Sequence, residues 1–111
     1  MVSSIVVGAK AVSKNSNAYV GKTIVYEITT KGLSSAFRYG ESSQTKLVNG
    51  IPNRIQTQLR ELKKLYPGRE FGHRIIKVFD NKLDAKALER GLIEDFYDLH
   101  GCMPEGNKVF R

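Results

Sequence analysis

The sequence predicts a small α+β domain, a three-stranded antiparallel sheet flanked by helices in the order β-β-α-β-α. Three observations predict it. Two short β-rich runs, TIVYEIT at residues 23–29 and AFRYG at 36–40, are spaced for an antiparallel hairpin. Two longer stretches carry apolar residues at helical spacing, and a third β-rich run, HRIIKVF at 73–79, separates them. With 111 residues the chain has room for one domain and a modest core, without disulfides or metal staples.

In the first run Ile24, Tyr26 and Ile28 share one face, and Val25 and Glu27 the other. In the second, Phe37 and Tyr39 oppose Arg38. Residues 41–50 are polar and read as a loop. Pro52 suits the first turn of a helix, along which Ile55, Leu59, Leu62, Leu65 and Tyr66 recur until Pro67-Gly68 stops it. Arg54 sits at the edge of that apolar arc, with Gln58 one turn on. The second helix, residues 84–100, ends at Gly101. Its apolar arc comprises Ala85, Leu88, Leu92, Ile93, Phe96, Tyr97 and Leu99, and a single carboxylate, Glu89, falls near its middle. A charge facing a core needs compensation by a cation, a metal or hydrogen bonds. The wheel alone leaves a buried ion pair, a metal ligand and a catalytic acid open. Residues 1–22 lack sustained periodicity and read as a lead-in or linker, leaving 23–111 as the domain.

The chain has 18 Lys and Arg against 11 Asp and Glu, a formal charge of +7, which favours a polyanionic partner, nucleic acid or an acidic protein. The charge is segregated: residues 46–77 are basic, residues 80–98 acidic. The lone Cys102 cannot form an internal disulfide. The apolar run Ile5–Val7 is too short for a signal-peptide core or a membrane span, so the fragment is expected to be soluble, with no membrane partner. His73 and His100 are not at metal-ligand spacing.

The elements could aim Tyr26, Tyr39, Arg54, Glu89 and Asn107 at one place. Such a set suits phosphodiester hydrolysis: a carboxylate for a divalent cation, a guanidinium for the phosphate, a phenol to position water. In this order the residues resemble the GIY-YIG (URI-type) nucleases. Ile24-Val25-Tyr26 stands where that family has GIY, Arg38-Tyr39-Gly40 where it has YIG, and Arg54 at its helix arginine. Glu89 in LERGLI matches its metal-binding glutamate, and Asn107 in PEGN its trailing asparagine. The chain departs from the pattern in three places. Ile24 replaces the first glycine, Tyr39 is one place nearer Gly40 than the motif's tyrosine, whose strict position is Arg38, and Gln58 stands where many members have His.

The resemblance implies Tyr26, Tyr39, Arg54 and Glu89 as catalytic residues, with Glu89 holding Mg²⁺ or another divalent cation. Arg38, Gln58, Arg60, Lys63 and His73 would bind substrate, and Asn107 would support the site. The stretch HGCMPEGNK after the second helix is similar to nuclease domains at the C-termini of bacterial polymorphic and contact-dependent growth inhibition toxins. That similarity implies secretion or delivery within a larger protein, action in a target-cell cytoplasm and a cognate immunity protein. The expected activity is endonucleolytic, with DNA favoured over RNA as substrate. An RNA-cleaving toxin, a non-catalytic nucleic-acid-binding module and an acidic-protein interaction module are the alternatives.

Overall fold

The structure, a computed structural model, describes residues 20–43, 47–48 and 50–109. The lead-in at 1–22 lies outside them up to residue 19. Strand β1 (Val20–Thr30) starts three residues before the expected run. Then come β2 (Arg38–Ser42), a minimal ribbon of β3 (Leu47–Val48) and β4 (Ile51–Pro52), helix α1 (Asn53–Leu65), strand β5 (Phe71–Asn81), helix α2 (Lys82–His100) and the short α3 (Glu105–Val109). Among the described residues β2, β1 and β5 form an antiparallel sheet in the order β2-β1-β5. The fold is therefore the α+β class that the periodicities predict, with α3 and the β3–β4 ribbon added. Among these residues no helix is long and apolar enough to cross a membrane.

Because β1 is central and covered on both faces, Thr23, Ile24, Val25 and Tyr26 are all buried and the alternation of its sequence does not show in its exposure. One face carries Ile24, Tyr26 and Ile28 against Ile55 and Leu62 of α1, with Phe37 completing the core. The register Ile24↔Ser42, Tyr26↔Gly40 and Ile28↔Arg38 puts Arg38 and Gly40 on that face as well. The opposite face, with Val25, Glu27, Tyr39 and Glu41, lies under α2. A bulge at the Val25/Tyr26 step of the β1–β5 pairing leaves Ile76 as the extra residue.

Helix α2 starts where Asn81 accepts a hydrogen bond from the Asp84 backbone N–H at 2.8 Å, and ends where Gly101 takes the left-handed conformation, φ 76°. Its apolar arc is buried only in part. Ala85 is sealed, but Tyr97 is half exposed and Leu99 is 79% exposed. The most buried polar residue of α2 is Lys82, on its first turn.

Candidate functional site

Tyr26 is the centre of the polar groups on the α1 face. Its side chain is fully buried, and its hydroxyl donates to Gln58 Oε1 at 2.7 Å. Gln58, at the helix position expected to face the hairpin, is itself buried. The ring fits because residue 40 is glycine: a Cβ there would stand 2.5 Å from the Tyr26 ring. Burial pushes the phenol above its ordinary pKa of 10, while Arg38 and Arg54 pull it back through charge and hydrogen bonding without cancelling the rise. Tyr26 is therefore a neutral hydroxyl at physiological pH, flanked by two guanidinium groups. Of these, Arg54 is exposed and Arg38 is 7% exposed, donating to the Gly106 carbonyl at 3.3 Å.

Tyr39 is not brought to this site. It pairs with Glu27, so its ring leaves the sheet on the α2 face, in a shallow cleft with Glu27, Arg74, Asp95 and Phe96. The parity of the strand decides this. A tyrosine 13 residues after Tyr26 must point the other way in this register, whereas Arg38, 12 residues after it, points the same way. The strict motif position is thus the one the hairpin places beside Tyr26. Burial first, and Glu27 second, raise the Tyr39 pKa as well.

Glu89 belongs to an ionic cluster on the α2 face. Lys82 Nζ donates to both oxygens of Glu41, at 2.8 and 3.1 Å, with side-chain exposures of 6% and 9%. Lys86 stands 3.7 Å from the same carboxylate. Glu89 is half-buried, and burial raises its carboxyl above the ordinary 4.5. Glu41 adds to the rise, while Lys86, Arg38 and Lys82 oppose it. Arg38 is thus within electrostatic reach of both Tyr26 and Glu89. Glu41, read from sequence as the start of a loop, is the residue that sequence reasoning missed here, together with Lys82. Their pairing spans 41 residues of sequence, and no local periodicity announces it.

Asn107 binds backbone. Its Oδ1 accepts from the Tyr39 N–H at 3.0 Å and its Nδ2 donates to the Tyr39 carbonyl at 2.9 Å, while Gly106 N–H donates to the Phe37 carbonyl at 2.7 Å. It holds β2 in place, a supporting role. His73 lies opposite Ile28 on β5, on the α1 face and half-buried. Arg60 and Lys63 are on the far flank of α1, in a separate cleft with Arg69.

A divalent cation is implied by the resemblance, and the donor set tests it. Among the described residues no three His, Cys, Asp or Glu side chains gather in one place. Glu41 is already taken by two ammonium groups, which leaves Glu89 as the carboxylate of the cluster outside an ion pair. One carboxylate does not make a zinc or calcium cage. It does fit Mg²⁺, which keeps most of its waters and completes its shell with substrate phosphate. Comparison with protein-family models, curated proteins and solved structures finds no match to this chain.

Proposed function

We propose that the chain is an endonuclease that hydrolyses phosphodiester bonds with a divalent cation, a toxin module restrained by an immunity protein. The observation that supports it most directly is the Tyr26–Gln58 pair set between the guanidinium groups of Arg38 and Arg54. Fixed donors of this kind are suited to a phosphate whose charge builds in the transition state.

Each residue has a task set by its exposure. Arg54 reaches solvent and is the group that contacts the phosphate. Tyr26 is sealed and protonated, so it does not itself take a proton from water, as the family pattern alone suggests; its hydroxyl holds Gln58 and, with Arg38, fixes the floor beneath Arg54. Glu89, on the α2 side of the sheet, would hold the cation through its carboxylate, with Arg38 as the charge that reaches both it and Tyr26. When bound, the cation supplies charge against the phosphate and lowers the pKa of a water. DNA as the favoured polymer, delivery within a larger protein and the immunity partner rest on the resemblance.

The test is incubation of the purified chain with supercoiled plasmid and with total RNA, in Mg²⁺ and in chelator. Plasmid nicking in Mg²⁺ that stops with chelator is expected. Glu89→Ala and Arg54→Ala should each reduce the rate by about 10²- to 10³-fold while the far-ultraviolet circular dichroism is unchanged. Cleavage at the wild-type rate by Glu89→Ala, or in chelator, overturns the cation's role.

A further inference from the structure

The cleft on the far flank of α1 has a composition that the proposed chemistry does not use. Leu59 and Phe71, packed on the core, make its apolar floor, and Arg60, Lys63, Arg69, Gln56 and Glu70 complete the lining. Arg69 is built in. Its guanidinium carbon lies 5.2 Å from the ring centres of Phe37 and Tyr66 and 5.5 Å from that of Phe71, and Nη1 bonds Glu105 at 3.3 Å. Held on aromatic faces and by a carboxylate, it loses little freedom on meeting a ligand. Glu70 is drawn aside toward Lys31, at 3.6 Å. Arg60 and Lys63 have no carboxylate partner among the described residues.

We infer that this cleft binds one or two nucleotides of a single-stranded nucleic acid: a base lies on the Leu59–Phe71 floor and beside the Arg69 plane, with flanking phosphates on Arg60 and Lys63. An apolar floor within a basic rim suits an unpaired base, whose faces are free to stack; a duplex offers only its backbone. The inference rests on the nucleic-acid reading above and adds the position of the strand. Lys63 follows Gln58 by five residues, about 140° around the helix, so the cleft and the Arg54–Gln58 flank lie on opposite sides of α1, separated by roughly its 10–12 Å diameter. A strand that touches both sites must pass around α1, half a circumference of about 16–19 Å, which at a stacked rise of about 3.4 Å per nucleotide takes about five nucleotides.

The experiment is fluorescence anisotropy in chelator, so that binding is read without cleavage, using a fluorescein-labelled 16-nucleotide mixed-sequence DNA, RNA of the same sequence, and the DNA duplex. The wild type should bind the single strands more tightly than the duplex. Arg60→Ala/Lys63→Ala should weaken single-strand binding by 10-fold or more and lower the salt slope by roughly 1.4, two phosphates at about 0.7 each. Lys64→Ala, outside the cleft and beside Glu61 at 3.9 Å, should change binding less than twofold. Because Arg69 braces the aromatic core, Arg69→Lys serves in place of a truncation: it keeps the charge, loses the plane, and should weaken binding severalfold at an unchanged salt slope. Equal losses in Lys64→Ala and the double variant, or a duplex that binds as tightly as the single strands, would sink the cleft while leaving nucleic-acid binding intact. If none of the three probes binds, the nucleic-acid reading and the cleft both fall.

Discussion

The two faces of one sheet solve the burial of polar groups in opposite ways. On the α1 side a single phenol enters an apolar core, where its hydroxyl donates to Gln58 and lies within reach of Arg38 and Arg54. On the α2 side Glu41, Lys82, Lys86 and Glu89 share a half-dry space in which two carboxylates meet two ammonium groups. The first arrangement depends on shape, because the ring needs the room that Gly40 leaves. The second depends on charge balance, because removing Glu41 leaves the buried Lys82 uncompensated. Arg38, on the edge strand, carries a charge that acts on both Tyr26 and Glu89. A change on one face is therefore expected to reach the other by way of β2.

The largest effect should come from breaking the charge balance. Glu41→Ala leaves buried Lys82 without its carboxylate, and chemical denaturation should show a loss of about 3–5 kcal/mol. A loss below about 1 kcal/mol would mean that water already reaches the pair. Next in size is the loss of shape. Gly40→Ala forces a methyl against the Tyr26 ring and should cost about 1–3 kcal/mol, with nuclease activity falling further than stability because Gln58 is displaced as well. Unchanged activity in a folded Gly40→Ala protein would separate Tyr26 from the chemistry. The N-cap of α2, which sets Lys82 in place, comes third: Asn81→Ala should cost about 1 kcal/mol.

The smallest effect is stabilising and depends on pH. Folding raises the Glu89 carboxyl above its ordinary 4.5, chiefly by burial, so the folded chain holds that proton more tightly than the unfolded chain. Its contribution to stability is present below about pH 4.5 and is lost as pH climbs through the folded value. Once that proton is lost, the protein buries a charge that Glu89→Gln lacks. In chelator the variant should melt about 2–5 °C higher at pH 7, with the gap closing toward pH 4. A variant that melts below the wild type at pH 7 would show that Lys86, Lys82 and Arg38 outweigh burial and Glu41.

The sequence made the elements legible because each obeys a local rule. The alternation in 23–29, the apolar spacing from Ile55 to Tyr66 and the stops at Pro67 and Gly101 depend on near neighbours. The site was legible where helix phase was enough, as for Gln58 and Arg54. It failed at Tyr39, where the resemblance favours a tyrosine and the one-residue shift in strand parity sends the ring to the other face. It failed also for Glu41 and Lys82, whose meeting depends on how α2 crosses the sheet. The arc of α2 misled at its C-terminal end, where Tyr97 and Leu99 continue the apolar spacing but stand exposed.

Asn107 has a consequence for assembly. Its amide makes with Tyr39 the two bonds that a neighbouring strand would make, so the outer margin of β2 is occupied by a side chain. Among the described residues the opposite margin, along Phe71–Asn81, has no strand beyond it. Among the described residues the margin open to a further strand is therefore that of β5, where Lys77 stands exposed and Arg74 is paired with Glu27 at 2.8 Å.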